Sequence, residues 1–242
     1  MKIDQRIQIF KSISELSNYA AESFVGLANQ SITQRGRFLV VLSGGNTPMH
    51  LYEILGNQFQ KNVDWKQVHF FWGDERCVPV DDAGNSYGQA KKVFLDKVNA
   101  INIHRIKSEL KPAEAAIDYA DTLKVFSEPP LEWPRFDLVL LGMGDDGHTA
   151  SLFPGSPVEV NSPTLAVTAN YQDRPANRVT LTQNVFNNAR NIFFLVVGAS
   201  KAGTLKKVLD GTHIPAELPA QRIDPKDGKV IWLVDQAAAG QL

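Results

Sequence analysis

A histidine in the glycine-rich segment Gly142–Gly155 (GMGDDGHTASLFPG) has neighbours that suit acid–base chemistry. Histidine can act as a base near neutral pH. A nearby carboxylate can fix its tautomer and stabilise the imidazolium form, and both Asp145 and Asp146 are close enough in sequence to do this. The glycines allow a sharp turn after the preceding apolar run. We therefore predict that His148 has a functional role at the end of a strand.

A second segment, Leu42–Pro48 (LSGGNTP), could hold an anion. Gly44 and Gly45 let backbone N–H groups approach a ligand closely, and a helix that begins here adds free donors and a positive dipole end. Ser43 and Thr47 can add hydroxyl groups. These features predict a phosphate cradle, but they also suit a tight strand–helix turn with Thr47 as the helix cap. The spacings of a P-loop or a dinucleotide fingerprint are absent.

Three charged residues follow another apolar run, in the segment Phe71–Arg76 (FWGDER). Burying isolated charge at a strand end is costly, so Asp74, Glu75 and Arg76 should be paired or lie at a solvated cleft. The structural alternative is an ion pair that covers the strand end.

Two basic residues later in the chain are further candidates for binding an anion. Arg178 lies in Asn177–Thr182 (NRVTLT), which predicts a short strand leading to a helix. Lys201 follows an apolar run at a helix start, where a cation opposes the helix dipole. A bound phosphate would relieve that conflict, whereas the structural alternative for Lys201 is a solvated side chain.

Five apolar runs predict the strands that position these residues. They are Arg37–Leu42, Val68–Trp72, Phe136–Leu141, Asn191–Val197 and Val230–Val234. Several are apolar at nearly every position, which is typical of parallel strands covered on both faces. Helical patterns lie between them, with a capping-box spacing at Ser12 and Glu15 and a proline suited to a first turn at Pro112. This alternation predicts a doubly wound α/β fold, in which ligands bind beyond the carboxyl ends of the strands.

Composition limits the classes of partner. The chain has 242 residues and a net charge of −1, so no global field attracts nucleic acid or anionic membrane. We predict a single domain over residues 1–242, with no nucleic-acid partner, no membrane span and no secretory signal. The one cysteine, Cys77, is consistent with a reducing, cytoplasmic location. The five histidines are scattered, which argues against a metal site.

Four of these segments together resemble the 6-phosphogluconolactonase family. They are Leu42–Pro48, Gly73–Arg76 (GDER), Gly142–Gly155 and Asn177–Thr182. The resemblance implies a fold shared with the glucosamine-6-phosphate isomerase/deaminase superfamily, a Rossmann-like three-layer α/β/α sandwich with a mostly parallel central sheet. It also implies hydrolysis of a small sugar phosphate lactone, 6-phospho-D-glucono-1,5-lactone, without a metal or organic cofactor.

This reaction suggests a role for each candidate. We predict that His148 is the general base and that Asp146 orients it, although Asp145 could exchange that role. Arg76 would stabilise the oxyanion or the lactone oxygen, and Asp74 would orient Arg76 or bind sugar hydroxyls. The residues expected to hold the phosphate are Ser43, Gly44, Gly45, Thr47, Arg178 and Lys201.

Two alternatives belong to other functional classes. Deaminase relatives carry a glutamate five residues after the histidine, where this chain has Phe153, and an aromatic residue where it has Arg76. Both differences favour a lactonase. A non-catalytic sugar-phosphate sensor would need an output module, and no basic helix-turn-helix segment is evident. The sequence leaves the oligomeric state and the preferred lactone ring size open.

Overall fold

The computed structural model describes residues 6–171 and 174–242, and ten strands in these segments form two sheets. The large sheet contains β1 (Arg6–Phe10), β2 (Phe38–Leu42), β3 (Val68–Trp72), β5 (Asn102–His104), β6 (Leu138–Gly142), β9 (Asn191–Val196) and β10 (Lys229–Asp235), and the small sheet contains β4 (Asp74–Arg76), β7 (Thr164–Thr168) and β8 (Asn177–Leu181). The large sheet is parallel, in the order β1-β10-β9-β6-β2-β3-β5. The small sheet is antiparallel, in the order β4-β8-β7.

Helices flank the large sheet and connect its strands. They are α1 (Ile13–Arg35), α2 (Asn46–Gln58), α3 (Ser86–Ala90), α4 (Pro112–Lys124), α5 (Gln183–Phe186) and α6 (Ala202–Asp210). A π-helical turn at Lys91–Leu95 continues α3, and 3₁₀ turns occupy Trp65–Gln67, Ala199–Lys201 and Pro219–Arg222. None of the helices in the described segments combines the length and the apolar character needed to cross a membrane. The predicted α/β fold with a mostly parallel sheet is confirmed.

The continuous apolar runs form the core because both faces of the central strands are covered. All five residues of β2 are buried, and the centroids of the Phe194 and Trp232 rings stack 3.8 Å apart on the neighbouring strands β9 and β10. Burying each such side chain contributes roughly 1.5–3 kcal/mol to the free energy of unfolding. The five predicted strands agree with the structure to within two residues at each end.

Local signals set two of the helix starts as predicted. The Ser12 hydroxyl caps α1 by accepting a hydrogen bond from the Glu15 backbone N–H at 3.2 Å, and Pro112 is the first residue of α4. The predicted cap at Thr47 is wrong. Helix α2 begins at Asn46 because Gly45 adopts a positive φ of 102° that turns the chain into the helix earlier.

Gly73 joins the two sheets between β3 and β4. Its N–H donates to the carbonyl oxygen of Leu42 at 2.9 Å, and its own carbonyl oxygen accepts from the Leu181 N–H at 2.7 Å. The small sheet is therefore held at the carboxyl end of β2, beside the loops that follow the central strands.

Candidate active site

A cavity of about 220 Å³ lies at the carboxyl ends of β2, β6 and β9, next to the small sheet. Nine of the ten predicted site residues border it: Ser43, Gly44, Gly45, Thr47, Asp74, Arg76, His148, Arg178 and Lys201. The tenth, Asp146, contacts His148. The structure thus brings together residues that are up to 158 positions apart in the sequence, from 43 to 201.

The imidazole of His148 is held by Asp146. Its Nδ1 lies 2.6 Å from the Asp146 Oδ1, and the same oxygen accepts from the His148 backbone N–H at 3.1 Å. Burial acts to raise the pKa of the Asp146 carboxyl, but the hydrogen bond to His148 and its charge outweigh burial and lower the pKa. Asp146 is therefore a carboxylate at neutral pH. Engagement of Nδ1 leaves Nε2 as the ring nitrogen that can act on a ligand.

Aromatic rings restrict the His148 imidazole further. The ring centroid of Phe153 is 4.5 Å from that of His148, and the Tyr171 ring packs edge-on at 4.6 Å. Only 12% of the His148 side chain is exposed. The imidazole is therefore fixed in orientation before any ligand binds.

The turn that carries His148 requires glycine. The Gly144 N–H donates to the His148 carbonyl oxygen at 2.8 Å, and Gly147 has a φ of 83°. A Cβ atom on Gly144 would lie 2.1 Å from the His148 Nδ1 and 2.5 Å from the Asp146 Oδ1. Gly144 thus leaves the space in which the imidazole and the carboxylate meet.

Asp145 has a different partner, which separates the roles of the two adjacent acids. Its Oδ1 lies 2.7 Å from the Lys201 Nζ and accepts from the Ser200 hydroxyl at 3.0 Å. The Thr204 hydroxyl donates to its backbone carbonyl at 2.6 Å. Asp145 supplies a counter-charge for Lys201 and holds the ammonium group at the cavity wall.

Asp74 is fixed by the central glycine-rich segment. Its Oδ2 accepts from the Ser151 hydroxyl at 2.6 Å, and both residues are buried. Within the described chain the Arg76 guanidinium donates to the Gly84 carbonyl oxygen at 2.7 Å and forms no hydrogen bond or ion pair with Asp74. The predicted role of Asp74, to orient Arg76 or to bind sugar hydroxyls, stays a prediction. The alternation of side chains along a strand places residues 74 and 76 on one face of β4 and residue 75 on the other.

Glu75 organises the loop behind the cavity, a role that the sequence did not indicate. Its carboxylate accepts backbone hydrogen bonds from Arg76, Ser86 and Tyr87 at 2.8, 2.7 and 2.8 Å. Burial raises the pKa of Glu75 to about 7, despite these hydrogen bonds. Ser86 in turn packs against Gly44, where a Cβ atom would lie 2.2 Å from the Ser86 hydroxyl oxygen.

Arg178 is almost completely buried beside the cavity, with 2% of its surface exposed. Its Nε donates to the Pro175 carbonyl oxygen at 3.0 Å, and its guanidinium lies 5.3 Å from the Phe153 ring centroid. Burial lowers the pKa of Arg178 below its ordinary value. The charge of Asp74 opposes this shift, and the charge of Arg76 adds to it. Desolvation of this cation favours an anionic ligand.

Three buried polar atoms at the cavity have no hydrogen-bond partner among the described residues. They are the Ser43 Oγ, the Arg76 Nε and one terminal nitrogen of Arg178. Buried polar atoms are nearly always paired, so a ligand with several acceptor oxygens fits these three. The backbone of Ser43 is itself fixed, since the Tyr52 hydroxyl bonds to its N–H at 3.0 Å and its carbonyl at 2.9 Å.

Sequence reasoning missed two further residues that border the cavity, Tyr171 and Arg174. The Arg174 N–H donates to the Tyr171 carbonyl oxygen at 3.1 Å, and the guanidinium lies 5.9 Å from the Tyr171 ring centroid. Arg174 adds a third arginine at the cavity. Across residues 6–171 and 174–242, no group of three or more His, Cys, Asp or Glu side chains is arranged to hold a metal ion.

Comparisons with known proteins found similar sequences and similar folds. The sequence profile of the family described as glucosamine-6-phosphate isomerases/6-phosphogluconolactonase matches residues 11–232. The chain is 40% identical to a 6-phosphogluconolactonase from Synechocystis sp. over 217 residues, which cover 88% of each protein. The three-dimensional structure of 6-phosphogluconolactonase from Trypanosoma brucei superposes with a TM-score of 0.86 at 27% identity, covering 100% of each chain. A monomeric glucosamine-6-phosphate deaminase shares the fold, with a TM-score of 0.84 at 21% identity over 98% of this chain and 100% of that one.

Proposed function

We propose that this chain, which belongs to the glucosamine-6-phosphate isomerase/6-phosphogluconolactonase family, hydrolyses 6-phospho-D-glucono-1,5-lactone to 6-phosphogluconate. This reaction is a step of the pentose phosphate pathway. The observation that supports it most strongly is the His148–Asp146 pair, which borders the same cavity as the unpaired donors of Arg76 and Arg178. Hydrolysis of a phosphorylated lactone requires a base that activates water, hydrogen-bond donors that stabilise the oxyanion, and further donors that bind the phosphate group.

His148 begins the reaction by activating water. Its Nε2 accepts a proton as the water oxygen bonds to the lactone carbonyl carbon, while Asp146 stabilises the imidazolium through Nδ1. The tetrahedral intermediate then breaks its bond to the ring oxygen, which takes the proton back from Nε2 and leaves as a hydroxyl group. A positioned base of this kind contributes roughly 10²–10⁴-fold to the rate.

Arg76 stabilises the charge that develops on the carbonyl oxygen. Its Nε is buried and has no partner in the described chain, while its other contact, to the Gly84 carbonyl, holds the guanidinium in place. A donor fixed before the reaction has no reorganisation cost, and losing one costs roughly 10²–10³-fold in turnover. Asp74 lies on the same strand face and is available to the sugar hydroxyls.

The phosphate binds in the same cavity, beside the glycine loop. The groups that hold it are the Ser43 and Thr47 hydroxyls, the backbone N–H groups of Gly44 and Gly45, and the cations of Arg178 and Lys201. Charge-assisted hydrogen bonds contribute about 1.5–3 kcal/mol each. Binding the phosphate also places the lactone carbonyl against His148, so binding energy is used for orientation.

The environment of Phe153 favours a lactonase over a deaminase. The Phe153 ring packs on the His148 imidazole and under the Arg178 guanidinium, and it is 9% exposed. An apolar ring at this position cannot donate or accept the proton that ring opening of an amino sugar needs. As part of this proposal the enzyme works in the cytoplasm, where the unpaired Cys77 remains reduced.

The test is hydrolysis of freshly generated 6-phosphogluconolactone, coupled to NADP reduction by 6-phosphogluconate dehydrogenase. A reaction without enzyme gives the spontaneous rate, and a reaction with EDTA tests metal dependence. We expect clear acceleration that EDTA leaves unchanged. Folded protein that fails to accelerate the reaction, but releases ammonia from glucosamine 6-phosphate, would overturn the proposal. Binding without turnover of either substrate would point to a sensor.

A further inference from the structure

We propose that a second site, at the amino ends of the strands, binds a phosphorylated small molecule. It is formed by an arginine cluster, defined as Arg35, Arg37, Arg135 and Arg190. These residues border a cavity of about 330 Å³. Arg35 ends α1, Arg37 directly precedes β2, Arg190 directly precedes β9, and Arg135 lies three residues before β6.

Positive charge exceeds negative charge at this cavity. Besides the four arginines, its wall contains two acids, Asp137 and Glu128. Asp137 is buried, and its oxygens are already used by the Leu39 N–H at 2.9 Å, by Arg35 at 2.8 Å and by Arg190 at 3.3 Å. Glu128 is exposed to solvent, where its charge is screened. Two positive charges thus remain without a protein counter-charge.

Several arginine donors in the cluster also lack an acceptor. The buried Nε atom of Arg135 forms no hydrogen bond with a described residue, and the Arg37 side chain makes neither a hydrogen bond nor an ion pair with one. The pKa of Arg190 is lowered by burial and then by the charges of Arg135 and Arg35, which shows that the cations act on one another. Burying an unpaired donor costs free energy, and so does holding like charges close together. A bound anion removes both of these costs.

The chemistry of the wall favours phosphate on an organic body. Planar guanidinium groups match the paired oxygens of a phosphate, and the cavity volume is in the range of small-molecule sites. The ring of Phe126 adds an apolar surface, is fixed by edge contacts with Phe71 and His104, and lies 6.0 Å from the Arg37 guanidinium. This surface can pack against a sugar or a base.

The arginine cluster is separate from the active site. Both sites use β2, β6 and β9, but from opposite ends, since the glycine loop follows β2 and Lys201 follows β9. A strand of five or six residues at about 3.3 Å each puts the two sites roughly 15–20 Å apart. One ligand of ordinary size cannot occupy both.

Titration calorimetry with pyrophosphate at low salt tests the proposal. We expect two binding sites in the wild type. Arg178→Ala combined with Lys201→Ala should remove the active-site event and keep the other. Arg37→Ala combined with Arg135→Ala should weaken the second event at least about tenfold and leave lactone hydrolysis at the wild-type rate. Arg105→Ala combined with Lys107→Ala removes the same charge from exposed ion pairs elsewhere and should retain both events.

Further arms identify the ligand and keep the test decisive. Arg37→Gln with Arg135→Gln retains most of the side-chain length, so it replaces the alanine variant if that protein does not fold. Competition by ATP or by 6-phosphogluconate for the second event supports the proposal and tells a nucleotide from a sugar phosphate. A single event that disappears with Arg178→Ala and Lys201→Ala overturns it. The proposal is also overturned if polyuridylate binds in a way that depends on Arg37 and Arg135 while pyrophosphate does not bind there. That result would indicate that the arginine cluster binds RNA.

Discussion

Arg76 and Arg178 are direct cross-strand partners in the antiparallel pairing of β4 with β8. Like charges opposite each other in a sheet destabilise it. Both residues are buried, and each keeps a buried nitrogen without a partner in the described chain. The pair therefore destabilises the protein when no ligand is bound, and a ligand with negative charge beside both guanidinium groups offsets that cost.

Replacing Arg178 should mainly weaken substrate binding. We expect Arg178→Ala to raise KM roughly 10- to 100-fold, because a charge-assisted contact to phosphate is lost, and to change kcat much less. Steady-state kinetics measure both values. Inorganic phosphate should raise the Tm of Arg178→Ala less than that of the wild type or of the control Arg105→Ala, because only the arginine cluster still binds it fully. A loss confined to kcat would show that Arg178 does not hold the phosphate.

Replacing His148 should affect turnover. We expect His148→Ala to lower kcat roughly 10²–10⁴-fold with a modest change in KM, because the base is lost while the phosphate site remains. His213 is exposed and makes no contact with the cavity, so His213→Ala is the matched control and should behave like the wild type. If His148→Ala retained most of its turnover, another group would have to be the base.

Turnover should also depend on the absence of a side chain at Gly144. The methyl group of Gly144→Ala would overlap the imidazole and the Asp146 carboxylate, so one of them must move. We expect kcat to fall by roughly 10²-fold, the usual effect of misplacing a reacting group by about 1 Å. Gly26→Ala in α1 is the control, because a Cβ atom there meets nothing within 4 Å and Gly26 does not border the active-site cavity. Equal kcat values for the two variants would contradict the assigned geometry.

Glu75 should make stability depend on pH. Its pKa is about 7 in the folded protein and ordinarily 4.5, so the native state binds the extra proton between these values. Its contribution to the free energy of unfolding is fully present below pH 4.5. It is lost as the pH rises to about 7, by up to about 3 kcal/mol.

Glu75→Gln cannot titrate, so it isolates this effect. Chemical denaturation at a series of pH values should show Glu75→Gln gaining stability relative to the wild type between pH 4.5 and 7. Other titrating groups are common to both proteins and cancel in the difference. A constant difference across this range would mean that Glu75 is ionised throughout.

The sequence predicted what local patterns determine. Apolar runs such as Val68–Trp72 fixed the strands because burial on both faces requires apolar residues at every position. Ser12 identified the start of α1 because capping involves neighbouring residues alone. The fold then placed the residues after those strands at one edge of the sheet, which is why most predicted site residues border one cavity.

Contacts between distant segments were not predictable in the same way. The choice between Asp145 and Asp146 depends on Lys201, which binds one of them from 56 residues away. The stacking of His69 on His104, with ring nitrogens 3.1 Å apart, depends on the pairing of β3 with β5. Burial lowers the pKa of both imidazoles, and no local signal marked either residue.

The position of β1 bears on how the chain folds during synthesis. Within the described chain its only neighbour in the sheet is β10, which is the last of these strands to be synthesised. All proposed catalytic and phosphate-binding groups are made earlier, by Lys201. The segment Arg6–Phe10, with exposed Ile7 and Ile9, therefore remains an unpaired β-edge on the nascent chain until β10 has been made, and during that time it is open to chaperone binding or to pairing with another chain.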